Sequence, residues 1–198
     1  MPKADDKQMA VAQVYSRAMH DLAVSKGEAD GLLEELRELA GSIERDPDFA
    51  AFVSSPMIDA EDRSQALERI FRGRASDLVV DSLQILNRKG RLALLPAIAE
   101  AFHLQHLEHL GRVDVLVTTA VPLGDSLRDR LTAALSGHSG RQPVLIEEVD
   151  ESLIGGIVLR IDDEKIDASV VHEIDRLHRA LRDRAVHEIH RSRREAAG

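Results

Sequence analysis

The sequence contains no cysteine and no tryptophan, and only 3% of its 198 residues are aromatic, with a single tyrosine. Without cysteine the chain has no disulfide framework, no thiolate nucleophile and no thiolate zinc site. So few aromatic side chains also argue against a platform on which bases or sugars stack. No apolar run approaches the roughly 18 residues of a membrane-spanning helix. Hydrophobic residues nevertheless make up 43% of the chain, enough to fill a core.

Positive charge is also in short supply. Lysine and arginine number 26 against 35 aspartates and glutamates, which gives a formal net charge of −9. A nucleic-acid binder needs a basic surface that displaces counterions from phosphates, so we expect no nucleic-acid partner. The first seven residues carry two acids and lead into no apolar centre, unlike a secretory or organellar targeting segment. We therefore expect a bacterial protein of the cytoplasm, although a processed organellar protein would show the same features.

Residues 7 to 110 carry the apolar spacing of α-helices. In the first predicted helix, apolar residues recur every three or four positions: Val11, Val14, Tyr15, Ala18, Met19 and Leu22. Five more helices follow, with start and stop signals such as Asp46-Pro47, Asp59, Ser76 and Gly90. The sixth is expected to run from Leu92 to Gly111, and Pro96 early in it is tolerated only if the residues before it form the first turn. This half predicts a six-helix bundle.

After Gly111 the apolar period changes from 3.6 to 2, which is typical of strands. We expect a strand near 113–117, a helix over 125–136, a loop over 137–140 and strands from Val144, Ile157 and Lys165. A long final helix is expected from Ser169, with apolar residues at Val170, Ile174, Leu177 and Leu181. The predicted fold class is α+β: an N-terminal helical domain (1–110) followed by a small α/β C-terminal domain (111–198).

Motifs for nucleotide, cofactor and nucleophile chemistry are missing or misplaced. No Gly-Lys pair is present for a P-loop. A dinucleotide site needs its glycines after a strand, whereas Gly155-Gly156 comes before one. The stretch Gly137-His138-Ser139-Gly140-Arg141 resembles a nucleophile elbow, but a helix precedes it and a strand follows. We therefore expect no catalytic residue and no cofactor.

Three of the nine histidines lie close together on the sixth predicted helix: His103, His106 and His109. At a spacing of three residues they drift around the helix, and no thiol or carboxylate supplies an obvious further ligand. We interpret them as a solvated or interface face and expect no metal site.

Several segments together resemble the delta subunit family of F-type ATP synthases, whose mitochondrial relative is the oligomycin-sensitivity-conferring protein. The segments are 12–23 (AQVYSRAMHDLA), 87–92 (NRKGRL) with Leu95 and Pro96, 119–123 (TAVPL), 149–156 (VDESLIGG) and 166–170 (IDASV). Each is weak alone, but their order and spacing cover nearly the whole chain. Two departures are Ala168, where the family often has glycine, and the tail beyond about residue 186.

The resemblance implies a non-catalytic stator subunit of a proton-transporting ATP synthase, present once per complex. In the family the helical domain grips the N-terminal helix of an alpha subunit on the catalytic head. The C-terminal domain joins the peripheral stalk of b subunits. The complex would place the chain at the cytoplasmic face of the bacterial plasma membrane, as a peripheral component without a cofactor.

In the family, the first and fifth helices form the groove for the alpha-subunit helix. Residues of these two helices that suit an apolar contact at helical spacing are Tyr15, Ala18, Leu78 and Ile85. For the stalk contact we expect Leu153, Ile154, Ile174 and Leu177. For any one of the four head-binding residues, packing within the bundle core explains the apolar side chain about as well as partner binding does. For the stalk residues the packing explanation is stronger, because the last helix must also cover the small sheet.

Two other functions remain open from the residues alone. The α/β module could act on a small molecule, with Asp150, Ser139 or His172 as acid–base groups in a concave pocket. Alternatively, the chain could be a helical adaptor without affinity for ATP synthase subunits.

Overall fold

The computed structural model describes residues 6–162, 164–170 and 172. Helices come first: α1 (Asp6–Lys26), α2 (Ala29–Arg45), α3 (Pro47–Ser54), α4 (Ala60–Phe71), α5 (Asp77–Arg88), a 3₁₀ turn (Leu92–Leu94) and α6 (Leu95–His109). Four strands and one helix follow: β1 (Arg112–Thr119), α7 (Asp125–Ser139), β2 (Gln142–Val149), β3 (Gly156–Ile161) and β4 (Glu164–Ser169). The chain divides into two compact units between Leu110 and Gly111. None of the helices in the described ranges is long and apolar enough to cross a membrane.

Local side-chain caps explain where three helices of the first unit begin. Asp46 accepts hydrogen bonds from the backbone N–H groups of Asp48 and Phe49 and so starts α3. Asp59 caps α4 in the same way, and the Ser76 hydroxyl accepts from Val79 at the start of α5. These caps satisfy backbone donors that the first helical turn leaves without partners.

The core of the helical unit forms where α6 packs against α1 and α2 and where α4 packs against α5. Its fully buried larger side chains are Leu36, Leu67, Val79, Leu86, Leu92, Leu95, Ile98 and Phe102. The helices are held together mainly by burial of these aliphatic side chains.

A buried arginine joins α4 to the segment before it. The Arg63 guanidinium donates to the carbonyl oxygens of Phe52 (3.0 Å), Ser55 and Ile58 (3.2 Å). It also lies 3.4 Å from the side-chain oxygen of Asn87, whose amide nitrogen donates to the carbonyl of Ala60 at 2.7 Å. Arg63 thus supplies the donors that the end of α3 and its loop lack.

The second unit is a four-stranded sheet in the order β2-β1-β3-β4, with α7 packed beside β2. β1 pairs with β2 in parallel, and the β1–β3 and β3–β4 pairs are antiparallel. Alternate residues of β1 (Val113, Val115 and Val117) are buried together with Leu123, Leu135 and Leu159. This alternation is typical of a sheet with one buried face.

The structure confirms the α+β class and corrects two predicted features, the loop over 137–140 and the start of the final helix at Ser169. Residues 137–139, expected as loop, continue α7, which ends at Gly140 with a φ of +66°. The sixth helix begins with the 3₁₀ turn, and Pro96 lies in the first turn of α6. Of the predicted final helix, Ser169 ends β4, and Ile174, Leu177 and Leu181 lie outside the described residues.

Gly156 is the position where a side chain is least tolerated in the α/β unit. Its φ is +88°, and a Cβ atom there would lie 2.4 Å from the carbonyl oxygen of Ala168 on β4. We expect Gly156→Ala to destabilise the unit by about 2 kcal/mol or more, measured as lost hydrogen-exchange protection in β3 and β4. Gly155→Ala is the matched control, since its Cβ would lie 3.5 Å from a Val170 methyl group, an ordinary contact. Equal protection in both variants would contradict this account.

Candidate functional site

The outer face of α1 carries an apolar stripe that is exposed over much of its length in the described part of the helical unit. Val14 is 69% exposed, Leu22 is 44% exposed, and Ala18 between them is also exposed. Residues four apart lie on one side of a helix, so the three form a continuous row. Val11 and Tyr15, both half-buried, flank this row on the same side. We call Val11, Val14, Tyr15, Ala18 and Leu22 the α1 stripe.

The inner face of α1 is partly polar. Ser16 and His20 are buried beside the small residues Ala12 and Ala23. The Ser16 hydroxyl donates to the side-chain oxygen of Gln105 on α6 at 3.1 Å, and His20 lies within hydrogen-bond distance of His106. α1 thus buries two polar side chains together with Met19, while Val14 and Leu22 remain exposed. A helix that serves only to close a core turns its large aliphatic side chains inward.

The structure separates the four residues predicted for the head-binding groove. Ala18 is exposed and Ile85 is 43% exposed, whereas Tyr15 is half-buried against the core. Leu78 is 6% exposed and belongs to the core of the helical unit. Sequence analysis did not single out Val14 and Leu22 for the site, although both belong to the apolar pattern of the first helix.

The residues predicted for the stalk contact are only partly within the described chain. Ile154 is 75% exposed and Leu153 is half-buried, both in the loop between β2 and β3. The Asp150 carboxylate shapes this loop by accepting from the Ser152 backbone N–H at 2.9 Å. Hydrogen bonds from Ser152 lower the pKa of Asp150. Ile174 and Leu177 lie outside the described residues.

The segment 87–92 has a structural role. Asn87 bonds to Ala60 and Arg63, Gly90 takes a φ of +63°, and the Arg91 N–H donates to the Leu86 carbonyl at 2.8 Å. These contacts end α5 and return the chain toward Leu92, which is buried. A left-handed glycine suits such a helix end because it has no Cβ.

The segment 166–170 likewise closes a turn. The Asp167 carboxylate accepts from the backbone N–H of Ser169 (3.1 Å) and from its hydroxyl (2.7 Å). These bonds, with a contribution from Lys165, lower the pKa of Asp167 to about 2. The Ser169 oxygen in turn accepts from the His172 backbone N–H at 3.2 Å. The contacts of Asp167 and Ser169 therefore hold the end of β4.

The residues weighed for an enzyme come from three separate places in the α/β unit. Asp150 lies in the loop after β2, where it bonds to its own turn, and Ser139 ends α7. His172 follows β4, and its backbone N–H donates to the Ser169 hydroxyl. Among the described side chains, no contact joins Asp150 to His172, so the structure gives no support to a catalytic group that contains both.

The histidines of α6 are a correction to the sequence analysis. His103 and His106 are buried, not part of a solvated or interface face, and only His109 is exposed. Their burial follows from the packing of α6 against both α1 and α2. Within the part of the chain that the structure describes, no group of three or more histidine, aspartate or glutamate side chains could hold a metal ion. His103 and His106 therefore belong to the packed interior of the helical unit.

Comparison with known proteins identifies the fold and the family. The family model described as "ATP synthase delta (OSCP) subunit" matches residues 11–181. A protein of Thioalkalivibrio sulfidiphilus named "ATP synthase subunit delta" is 33% identical over 84% of this chain and 93% of its own length. A protein of the same name from Rhizobium etli is 30% identical over 92% of this chain and 99% of its own.

Among solved structures, a chain in the cryo-EM structure of the Toxoplasma gondii mitochondrial ATP synthase hexamer shares the fold. The TM-score is 0.61 at 22% sequence identity, with 86% of this chain and 96% of that chain covered. The likeness of fold agrees with the family match, which extends over both structural units. The chain belongs to the ATP synthase delta (OSCP) subunit family.

Proposed function

We propose that this chain is the non-catalytic stator subunit that links the catalytic head of a bacterial F-type ATP synthase to its peripheral stalk. Family membership and the relatives named "ATP synthase subunit delta" support this role. In it the helical unit binds the N-terminal helix of an alpha subunit, and the α/β unit contacts the b subunits. One copy per complex would sit at the cytoplasmic face of the plasma membrane and keep the head from turning with the rotor.

The observation that carries the proposal is the α1 stripe. Val14 and Leu22 expose apolar surface in the same helix that buries Ser16 and His20. Exposed apolar side chains that form a row, and not scattered single residues, mark a surface that another protein covers. A partner helix is the simplest occupant, because its own apolar side chains repeat every three or four residues and match the spacing of the stripe.

The composition of the stripe suits close packing of a helix. Ala18 lies midway between Val14 and Leu22, and its small side chain lets a partner approach between the two larger ones. Tyr15 adds apolar area and a hydroxyl at its tip. Ile85 on α5 offers a second exposed aliphatic contact. We assign these residues to the surface that contacts the alpha-subunit helix. Leu78 is buried in the core and contributes only by packing beneath that surface.

For the stalk we propose the loop around Leu153 and Ile154. Ile154 is the most exposed large aliphatic side chain among the described residues of the α/β unit, and the hydrogen bonds of Asp150 hold its loop in shape. A preformed loop loses less conformational entropy on binding than a flexible one. Ile174 and Leu177 of the predicted last helix remain part of this proposal.

The whole role is tested by reconstitution. Membranes carrying the ATP synthase are stripped of this subunit, and proton-driven ATP synthesis is measured before and after the purified chain is added back. The proposal expects coupling to fail on removal and to return on addition. Full coupling in stripped membranes, or no recovery with folded chain, would contradict it.

Participation of α5 is tested by Ile85→Asp. A charge placed under a partner helix loses its water without gaining a partner, so we expect the affinity for an alpha-subunit N-terminal peptide to fall more than about tenfold. Isothermal titration calorimetry measures the loss. The matched control is Ile70→Asp on α4, where an isoleucine of similar exposure (41% against 43%) lies outside the proposed surface. Equal affinity of both variants would remove Ile85 from the site.

A further inference from the structure

A chain of hydrogen bonds between side chains connects three helices of the first unit. Nε2 of His106 on α6 lies 2.9 Å from Oδ1 of Asp30 on α2. Nδ1 of the same imidazole lies 3.3 Å from Nε2 of His20 on α1. Both imidazoles are buried, whereas the Asp30 side chain is 92% exposed. We call Asp30, His106 and His20 the histidine chain.

The ionised carboxylate fixes the direction of both hydrogen bonds. Because Asp30 can only accept, a neutral His106 must carry its proton on Nε2, which leaves Nδ1 as an acceptor. Nε2 of His20 must then be the donor to His106. This is the one arrangement of two neutral imidazoles that satisfies both contacts.

One additional proton is compatible with the same geometry, but a second is not. A cationic His20 can still donate to His106, and a cationic His106 can donate to both neighbours if His20 moves its proton to Nδ1. When both rings are cations, an N–H group of each points at the other across 3.3 Å. The hydrogen bond is then lost, and Asp30, the exposed carboxylate that is hydrogen-bonded to the pair, faces two buried positive charges.

The charged and titratable groups around the pair come from all the helices packed on it. Beside the chain on α6 lie His109, with its ring centre 5.3 Å from that of His20, and His103 one turn earlier. Asp21 follows His20 on α1, and α2 contributes Asp30. The Phe102 ring, 5.3 Å from His20, is apolar and cannot compensate a charge. Four imidazoles (His20, His103, His106 and His109) thus lie near two carboxylates, Asp21 on α1 and Asp30 on α2.

We propose that the histidine chain is a proton-sensitive contact that holds α1 against α6, and that a second proton on His20 and His106 releases α1 and the stripe it carries. The regulatory part rests on the proposed function, because it concerns the same surface. When the contact is lost, the hydrogen bond of Ser16 with Gln105 still joins α1 to α6. The affinity for the partner helix would fall as its surroundings become acidic.

The direction of the pH effect follows from His20. Burial lowers the pKa of His20, and His106 and His109 lower it further against the opposing effect of Asp21. The unfolded chain takes up a proton near the ordinary value of about 6.5, before the folded chain does. The stability that His20 contributes is therefore fully present above about pH 6.5. Below that pH, exclusion of a proton from folded His20 lowers the folding equilibrium constant by up to about tenfold per pH unit, until the folded imidazole takes up its proton.

The test measures hydrogen-exchange protection factors of α1 amides in the full chain at about pH 7.5 and about pH 5.5. We expect protection to fall about tenfold or more in the wild type. His20→Phe should remove most of this pH dependence, because it leaves His106 alone beside Asp30, and a proton added to His106 then meets no second cation. His172→Gln, which removes an exposed histidine of the other unit, should behave as the wild type does. Equal protection at both pH values in the wild type would overturn the proposal.

Asp30→Asn is the second variant and keeps the test informative if His20→Phe fails to fold. Asp30 is exposed, so its amide leaves packing unchanged but removes the carboxylate that compensates the first proton. We expect a larger loss of protection at pH 5.5 than in the wild type. In parallel, nitrogen-15 spectra of the imidazoles report each protonation state. Two imidazolium rings at His20 and His106 with α1 still fully protected would overturn the proposal.

Peptide binding separates this proposal from the function on which it rests. Affinity for the alpha-subunit peptide is measured at the same two pH values. If the peptide binds at neither pH, the proposed function fails, while the exchange and nitrogen-15 results still decide the histidine chain. If it binds with equal affinity at both, α1 release does not regulate the site. We expect weaker binding at the lower pH in the wild type and a smaller change in His20→Phe.

Discussion

Replacing Val14 with aspartate is expected to weaken binding of the alpha-subunit helix at least about a hundredfold, or about 2.7 kcal/mol. Val14 is the most exposed member of the α1 stripe, at 69%. A carboxylate there would lose its water beneath the partner helix without gaining a hydrogen-bond donor. Because Val14 makes little contact with the core, the variant should fold normally. Calorimetric titration of the full chain with an alpha-subunit N-terminal peptide measures the change.

Gln13→Asp is the matched control for this substitution. Gln13 is the preceding residue and is also exposed, but it lies outside the α1 stripe. Adding the same carboxylate there should change the affinity by no more than about twofold. If Gln13→Asp weakens binding as much as Val14→Asp, the effect comes from net charge. If Val14→Asp binds like the wild type, the stripe is not the site.

Replacing Arg63 with alanine is expected to lower the free energy of unfolding of the helical unit by about 4 kcal/mol. The substitution removes the donors to the carbonyls of Phe52, Ser55 and Ile58 and the contact with Asn87. It also leaves a cavity, since the Arg63 side chain is buried. Urea unfolding followed by circular dichroism or by tyrosine fluorescence from Tyr15 measures the loss.

Two further substitutions separate geometry from charge. Arg69→Ala removes an exposed arginine from the same helix and should cost less than about 0.5 kcal/mol. Arg63→Lys keeps the charge but cannot reproduce the planar set of donors, so we expect an intermediate loss. A loss for Arg63→Ala as small as that for Arg69→Ala would show that the buried hydrogen bonds contribute little to stability.

The ends of helices were predictable from sequence where one capping residue determines them. Asp46, Asp59 and Ser76 were expected to start helices, and each accepts the hydrogen bonds of a cap in the structure. The strands of the α/β unit followed from alternation, with the valines of β1 on the buried face. The end of α7 was missed because Gly137 weakens but does not stop a helix. Only Gly140 has the left-handed conformation that ends it.

Sequence reasoning could not tell which side of α1 faces the core. Two overlapping rows run along this helix, and the more apolar one, with Val14 and Leu22, is exposed. The buried row contains Ser16 and His20, whose polar groups find partners only on a distant part of the chain, at Gln105 and His106. Spacing within one helix carries no information about such partners. The burial of His103 and His106 was missed for the same reason.

Residues of the family-like segments are easier to place than the binding surface. Asn87 and Gly90 end a helix, and Asp167 and Ser169 hold the end of β4. These contacts are local, so short segments can be identified from sequence. The binding surface depends on which side chains the tertiary packing leaves exposed. On α5, for example, Leu78 is buried and Ile85 is exposed, although both were predicted for the same surface.

The most direct test of the central claim is an amide chemical-shift map of the full chain with and without an alpha-subunit N-terminal peptide. The account predicts one-to-one binding, with the largest shifts in α1 around Val14, Ala18 and Leu22 and further shifts near Ile85. The α/β unit should keep its shifts. No saturable shifts, or shifts centred on a surface away from α1, would contradict it.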